Sequence, residues 1–379
     1  MSWSDKSLDE LGTVSRGRSR HRPRDAAHLY GGSYPFVQTG DVKRAGLYLT
    51  EYSQTYSDEG LAQSKLWPSG TLCITIAANI ADTSILAIDA CFPDSVIGFI
   101  PDPKKSDARF IKYLFDTVLK LQYRQVSQGA AQDNLSQGKL LALKFSVPDD
   151  VNEQIRIADF IATYDDLIEN NRRRIQLLEE SASLLYQEWF VRLRFPGHEQ
   201  VKVGDGVPAG WTKEPLENLL ILQRGFDLPV SKRIEGKVPI YASTGINGFH
   251  NSAKVKAPGV VTGRSGSLGT VMYVSTDFWP LNTTLWVKEF KKASPLFATF
   301  LLRAMKLEGY NGGAAVPTLN RNDVHKVDVL CPPVNLMNEF ESQVESIFKQ
   351  VDKLKEYNEK LAQARDLLLP KLMCGELTV

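Results

Sequence analysis

Apolar residues recur every seven positions along two long stretches of the chain. Such a sustained spacing is typical of helices that pack as a coiled coil, and an asparagine inside the seam fixes its register at some cost in stability. We therefore predict two long helices that pack along this seam. The predicted seam residues are Ile161, Ile168, Asn171, Ile175, Leu178, Leu185, Ile347, Leu354, Asn358, Leu361 and Leu368.

The same spacing also fits two ordinary amphipathic helices, each packing on a separate core. The two apolar series extend over segments of about 40 residues, whereas helices of globular proteins average about 11–12 residues. This length favours the coiled coil, and the separate helices stay as an alternative.

Shorter patterns precede each long helix. Runs rich in β-branched residues at 71–76 and 284–287 predict strands. The stretches 106–123 and 294–307 have the apolar spacing of short helices, and Ser106 and Ser294 occupy expected N-cap positions. The fold class is therefore predicted to be α+β, with globular parts of mixed α/β type separated by the two long helices.

The chain contains an internal repeat, in which similar residues keep their order in two copies. The clearest pairs are Trp3 with Trp211, Arg16-Gly17 with Arg224-Gly225, Gly129-Ala130-Ala131 with Gly313-Ala314-Ala315, and Pro148 with Pro332. We predict a pseudo-two-fold organisation. Its parts are a first globular domain at 1–147, a long helix at 148–194, a linker rich in proline and glycine at 195–210, a second globular domain at 211–332 and a second long helix at 333–379.

Composition narrows the function classes only slightly. The formal net charge is +1, so a nucleic-acid surface requires local clustering of basic residues. The 4 cysteines form no CxxC pair and the 5 histidines show no ligand spacing, which predicts neither a metal site nor a disulfide framework. No apolar run approaches the ~18 residues of a membrane span, and no signal-peptide core begins the chain, so we expect a cytoplasmic protein.

A glycine-rich segment at 260–271 resembles a phosphate-binding loop at first sight. Gly263, Gly266 and Gly269 are followed by a β-branched run, whereas a dinucleotide fingerprint requires a helix there. The corresponding part of the first copy, 77–82, contains no glycine. We therefore predict a strand, a turn and a strand, and no catalytic residues. An enzyme with its own nucleotide site is the weaker alternative.

Arginine and amide side chains in the globular parts suit DNA, because arginine pairs with guanine or phosphate and asparagine or glutamine pairs with adenine. In the first copy, arginines alternate with other residues from Arg16 to Arg24. A solvated loop without a ligand is the alternative for this run. The candidate DNA-binding residues are Arg16, Arg18, Arg20, Lys43, Arg44, Gln128, Asn134, Arg224, Arg264, Ser265, Asn320 and Arg321.

Four motifs resemble the specificity subunits of type I restriction–modification systems. They are GSYPFVQTGDV at 32–42, GRSGSLG at 263–269, LNRNDV at 319–324 and RDLLLPKLM at 365–373. The segment 152–190 is similar to the central helix of that family. The resemblance extends, in order, over essentially the whole chain.

The resemblance implies a DNA-binding specificity subunit that is not itself an enzyme. Each globular domain would be a target-recognition domain that reads one half of a bipartite site in double-stranded DNA. The long helices would pack as an antiparallel coiled coil, space the domains and dock two methyltransferase subunits. Restriction subunits with translocase activity would join this core. The methyl donor, ATP and magnesium would belong to these partners, so no cofactor is expected on this chain.

One departure from the family pattern concerns the first copy, where Ala77-Ala78-Asn79 replaces the glycine pattern of the second. The two loops are therefore expected to contact DNA differently, or only one of them contacts it. The alternative for the chain as a whole is a two-domain coiled-coil scaffold that assembles proteins without reading DNA.

Overall fold

The chain forms two compact units. In a computed structural model, unit 1 comprises Met1–Arg172 together with Glu356–Val379, and unit 2 comprises Arg173–Lys355. The structure describes residues 2–77, 80–126, 135–313 and 316–379.

Unit 1 consists of short strands and helices that lead into a long helix. Its strands are β1 (Trp3–Lys6), β2 (Gly12–Arg16), β3 (Tyr30–Phe36), β4 (Tyr48–Leu49), β5 (Gln54–Tyr56), β6 (Leu66–Trp67), β7 (Leu72–Thr75), β8 (Thr83–Leu86), β9 (Ala90–Cys91), β10 (Val96–Pro101) and β11 (Phe145–Pro148). Its helices are α1 (Leu8–Leu11), α2 (Thr39–Arg44), α3 (Asp58–Ala62), α4 (Ala108–Val126), α5 (Gln137–Ala142) and the first part of α6 (Val151–Tyr186).

The central sheet of unit 1 has the strand order β2-β10-β7-β8-β4, and a second sheet has the order β5-β3-β9-β6. β10 pairs antiparallel with both β2 and β7, so that Ile97 lies between Arg16 and Ile74. β1 pairs with β11, and Trp3 lies opposite Pro148. This last pair places the start of the unit beside the strand that leads into α6.

The core of unit 1 lies between the central sheet and the helices. All four residues of β7 are buried because both faces of the strand are covered: Leu72 and Ile74 pack in one apolar cluster and Cys73 in another. A strand buried on both faces has a continuous apolar run. Ile157 and Ile161 of α6 belong to the same core, as do Leu369 and Leu372. Both long-helix segments of the unit thus contribute to it.

Unit 2 contains the remaining elements. Its strands are β12 (Val203–Gly204), β13 (Val207–Pro208), β14 (Thr212–Pro215), β15 (Leu220–Arg224), β16 (Val238–Ala242), β17 (Gly245–His250), β18 (Gly259–Gly263), β19 (Val271–Val274), β20 (Trp279–Pro280), β21 (Thr284–Phe290) and β22 (Asp328–Cys331). Its helices are the end of α6, α7 (Pro295–Ala304), α8 (Arg321–His325) and the first part of α9 (Val334–Met373), which ends in unit 1.

The main sheet of unit 2 has the order β15-β21-β18-β19, a second sheet has the order β17-β16-β20, and β14 pairs with β22. An aromatic cluster fills the core beside the long helices. Phe190 packs edge-to-face on Phe297 of α7 at 5.0 Å and on Phe340 of α9 at 5.2 Å. Edge-to-face pairs add to the free energy gained from burial alone.

The long helices contact each other within each unit. In unit 1, Asn171 Nδ2 donates to Asn358 Oδ1 at 2.9 Å, so the two predicted asparagines form a hydrogen bond. In unit 2, Lys355 Nζ lies 3.7 Å from a carboxylate oxygen of Glu179. Each predicted seam residue is buried or half-buried.

A polar network ties α4 to the long-helix segments of unit 1. Asp165 of α6 accepts a hydrogen bond from Tyr113 Oη at 2.6 Å and forms an ion pair with Arg365 of α9. Burial raises the pKa of the Tyr113 hydroxyl, and the neighbouring Asp165 carboxylate raises it further. Tyr113 therefore stays a hydrogen-bond donor, and the network holds the globular part against both helices.

The short helices occur where they were predicted, with one correction at a cap. The first, α4, begins at Ala108, and the Asp107 carboxylate caps it by accepting from the Arg109 and Phe110 amides at 2.9 and 3.1 Å. Ser106 was therefore wrong as the N-cap, because its hydroxyl donates to Leu11 O at 2.8 Å and holds the loop to α1.

The N-terminus of α7 is capped from another helix. Ser294 precedes α7 as predicted, but its hydroxyl donates to Glu341 of α9 at 2.6 Å. The same carboxylate accepts from the amides of Leu296 and Phe297 at 3.2 and 3.1 Å. A negative charge at a helix N-terminus is favourable, and here it also anchors α9 to the globular part of unit 2.

Replacing Glu341 with alanine is expected to lower the free energy of unfolding by about 2–3 kcal/mol, because it leaves buried amides without an acceptor. Glu345→Ala, on the same helix, removes only an exposed ion pair with Lys349 and is the matched control. Thermal unfolding measures the difference. Equal shifts for the two variants would show that the cap contributes nothing.

Candidate nucleic-acid interface

The arginine run of unit 1 begins at the end of β2. Arg16 is exposed, and its Nε donates to Asp94 O at 2.9 Å. The backbone amides of Arg18 and Arg20 donate to Phe92 O at 3.0 Å and to Gln63 Oε1 at 2.6 Å. The backbone of the run is thus fixed, while the side chains of these three arginines are exposed at one edge of the central sheet.

The corresponding edge of unit 2 carries Arg224 and Arg264. Arg224 is the last residue of β15, and the amide after it donates to Thr284 O at 3.1 Å. Arg264 follows β18, its amide donates to Thr283 O at 2.8 Å, and its Nη1 donates to Asn282 O at 3.2 Å. The start of β21 therefore lies between the two arginines.

The LNRNDV segment joins the same surface of unit 2. The Leu319 amide donates to Arg264 O at 2.8 Å, which places Asn320 and Arg321 beside Arg264 and Ser265. Asn320 caps α8, since its Oδ1 accepts from the Asn322 amide at 3.1 Å. Asn320 and Arg321 are exposed. The structure thus brings together two pairs of predicted residues that are far apart in the sequence.

A buried histidine, which the sequence analysis did not single out, holds this part of unit 2 in place. His325, at the end of α8, accepts from the Leu222 amide of β15 at 2.9 Å through its Nε2. Burial lowers the pKa of this imidazole. The neutral form is the one that accepts a hydrogen bond, so the environment favours the form that the contact needs.

Two glycines explain why the Arg-Gly pairs recur. A Cβ at Gly17 would lie 2.3 Å from Pro93 O and 2.4 Å from Phe92 O. A Cβ at Gly225 would lie 2.2 Å from Leu281 O, so each glycine lets the chain after its arginine pass directly over backbone carbonyls.

Alanine at Gly17 or at Gly225 is therefore expected to destabilise its unit by about 1–3 kcal/mol, because rigid backbone must shift. Gly46→Ala and Gly309→Ala are matched controls, since nothing lies within 4 Å of a Cβ at either position. Calorimetric melting of the four variants compares them. If the controls melt as early as the test variants, close approach is not the reason for these glycines.

The glycine-rich segment forms an antiparallel hairpin, as predicted: β18 and β19 pair with Thr262 opposite Val271. The amides of Gly263, Arg264 and Ser265 donate to carbonyl oxygens of Thr270 and Thr283, and the Gly266 amide donates to Pro317 O. A phosphate cradle uses such amides as its donors. Since these four already bind the protein, the loop does not have the form of a nucleotide site.

The remaining predicted residues lie elsewhere. Lys43 and Arg44 are exposed on α2, where Arg44 forms an ion pair with Asp41. Gln128 and Asn134 lie outside the described residues.

Residues 2–77, 80–126, 135–313 and 316–379 contain no group of three or more His, Cys, Asp or Glu side chains placed to hold a metal ion. Among the same residues, no helix is both long and apolar enough to span a membrane.

The chain is similar to several known proteins. Residues 1–180 match the model of the type I restriction modification DNA specificity domain. The MjaIX specificity subunit, a type I restriction enzyme subunit of Methanocaldococcus jannaschii, is 23% identical over 100% of this chain and 94% of its own length. The HindI specificity subunit of Haemophilus influenzae is 22% identical over 99% of both chains.

The fold is also that of a solved structure. The S subunit of a type I restriction–modification system from M. genitalium superposes with a TM-score of 0.57 at 17% identity, covering 98% of this chain and 96% of that one. Residues 1–180 are thus similar to type I restriction modification DNA specificity domains, and the chain over its whole length is similar to type I specificity subunits. The resemblance to type I specificity subunits seen in the sequence is thereby confirmed.

Proposed function

We propose that this chain reads a bipartite site in double-stranded DNA, one half with each unit, as the specificity subunit of a type I restriction–modification complex. One observation carries the proposal. β10 lies between β2 and β7 in unit 1, and β21 lies between β15 and β18 in unit 2. In both units an exposed arginine, Arg16 or Arg224, ends the first of these strands and is followed by a tightly packed glycine. The same arrangement supports the internal repeat.

The long helices are proposed to form an antiparallel coiled coil that spaces the two units. In unit 1, Asp165 contacts Arg365 and Asn171 contacts Asn358. Higher numbers on α6 therefore meet lower numbers on α9, which supports antiparallel packing. A shared asparagine pair suits the register-fixing role of a polar residue in a seam.

The chain is proposed to act without catalysis of its own. Two methyltransferase subunits would dock on the long helices, and restriction subunits with translocase activity would join them in the cytoplasm. The methyl donor, ATP and magnesium would bind to those partners. The amides of the 263–266 loop already donate to backbone carbonyls, which argues against a nucleotide site in this loop.

Footprinting of the chain assembled with its methyltransferase subunits tests the proposal. The duplex is first identified by sequencing methylated DNA from cells that express the complex. We expect two protected segments separated by bases whose identity does not matter. A single contiguous site, or a methylated motif that does not depend on this chain, would overturn the proposal.

A further inference from the structure

The hairpin of β16 and β17 in unit 2 presents apolar side chains to solvent. Ile246 is 57% exposed and Phe249 is 53% exposed, and both lie on the edge strand of the β17-β16-β20 sheet. Val230 and Ile234, on the neighbouring loop 229–236, are exposed as well. Soluble proteins rarely leave an edge strand apolar and uncovered, so this cluster indicates an interaction surface.

A bulge in β17 determines which side chains share a face. Ile246 lies opposite Tyr241 and Phe249 lies opposite Pro239, so β17 has one more residue than β16 between these pairs. Tyr241 and Pro239 are two positions apart on β16 and lie on one face, and their partners Ile246 and Phe249 therefore share a face too. Asn247 and Gly248 occupy the bulge, and Gly248 has a φ of +111°.

The bulged asparagine is held by an arginine from the loop 229–236. Arg233 Nη1 donates to Asn247 O at 2.6 Å, and Arg233 Nη2 donates to Asn247 Oδ1 at 3.0 Å. The Ile234 amide donates to His250 Nδ1 at 3.0 Å, and the His250 ring packs edge-to-face on Trp279 at 5.2 Å. The loop and the hairpin are thus fastened together as one ordered surface.

The charge of this surface favours a polyanion as its occupant. The loop and the hairpin together, residues 229–250, contain three basic residues, Lys232, Arg233 and Lys237, and one acidic residue, Glu235. Their net charge is +2, whereas the whole chain of 379 residues carries only +1. Such local clustering is the electrostatic footprint of nucleic-acid binding.

The hairpin also continues the surface that carries Arg264. A Cβ at Gly263 would lie 3.3 Å from Ser243 Cβ, so the turn of the hairpin lies against the glycine-rich loop. The Leu281 amide donates to Tyr241 O at 2.8 Å, and the next residue, Asn282, accepts from Arg264. A duplex that contacts Arg264 is therefore within reach of the hairpin.

We infer that the β16–β17 hairpin is a base-reading element of unit 2, an inference that rests on the proposed function. The major groove of DNA admits a two-stranded β-ribbon. Asn247 would contact an adenine edge through its amide, and Phe249 or Ile246 would contact a thymine methyl group. Arg233 would act as a positioning residue, because it donates to the backbone and side-chain oxygens of Asn247 and so fixes the orientation of the side-chain amide.

Selection of duplexes from a random pool by the assembled complex tests this inference. Wild type is compared with Asn247→Ala, Phe249→Ser and, as an exposed apolar control outside the surface, Val203→Ser. We expect both hairpin variants to bind the wild-type site at least about 10-fold more weakly. The selected duplexes should lose their base preference in one half-site only. The melting temperatures of both hairpin variants should equal that of wild type, and the Val203 variant should behave like wild type. Arg233→Ala should relax the same base pair as Asn247→Ala.

The outcomes separate this inference from the proposed function. If wild type selects a bipartite site and the hairpin variants select the same site with equal affinity, the inference is overturned and the proposed function stands. If wild type selects no bipartite site, the proposed function itself fails. A uniform loss of affinity for every sequence indicates phosphate contacts, and loss of the methyltransferase with DNA binding intact indicates a protein interface. Either result overturns base reading by the hairpin.

Discussion

Placing an aspartate at Leu354 lowers the free energy of unfolding by about 4 kcal/mol or more, because it removes a buried leucine and introduces a buried charge. Leu354 is only 6% exposed in the middle of α9. For a unit of this size, each kcal/mol shifts the melting temperature by about 2–4 °C, so a fall of roughly 8–16 °C is expected. Calorimetry of the purified chain measures it, and binding of methyltransferase subunits should fall in parallel.

Leu177→Asp is the matched control for this variant. Leu177 lies on α6 in the same unit and is 64% exposed, so an aspartate there stays in water. Surface substitutions of this kind usually change stability by about 0.5 kcal/mol or less. If Leu354→Asp melts like the control and assembles normally, the seam does not hold the helices together.

Alanine at Arg16 is expected to weaken DNA binding by about 1–3 kcal/mol, or roughly 5-fold to 150-fold in Kd, because a bidentate arginine contact to a base is lost. Arg224→Ala should have a similar effect through the other half-site. The two are distinguished with duplexes in which one half-site is scrambled. Scrambling the half read by unit 1 should abolish the effect of Arg16→Ala and leave that of Arg224→Ala intact.

Arg172→Ala controls for the loss of a positive charge. Arg172 is exposed on α6, where it lies 3.6 Å from Glu169. Fluorescence anisotropy at several salt concentrations completes the comparison. A loss that is equal for all sequences, with a shallower salt dependence, would mean that the two arginines contact phosphates and carry no sequence information.

The long helices were predictable because their signal is periodic and extends over many residues. Asn171 and Asn358 were each assigned to the seam from the seven-residue spacing alone, and the structure joins them by a hydrogen bond. The short helices followed from similar spacing. Their caps did not, because Asp107 and Ser106 are both capable caps and the choice depends on Leu11, which is distant in sequence.

The candidate surface was predictable in its residue types but not in its assembly. Arginines and asparagines stand out in the sequence, whereas the contact between Leu319 and Arg264 depends on how loops cross. The hairpin at 238–250 was missed for a similar reason. Its bulge depends on the pairing register of two strands, which the sequence does not display. Ile246 and Phe249 are apolar residues that a sequence pattern assigns to a core, and only the position of β17 at the edge of its sheet leaves them exposed.

Unit 1 is assembled from two stretches of chain, and this has a consequence during synthesis. Leu369, Leu372 and Met373 belong to its core, yet a ribosome makes them after all of unit 2. At about 5–20 residues per second, the stretch from Arg173 to Lys355 takes about 10–40 s to translate. For that time the nascent first globular part has an open apolar flank. Once Lys355 has been added, the second part has every residue that it needs, whereas the first still lacks Glu356–Val379. The second part of the chain to be made is thus the first able to complete its fold.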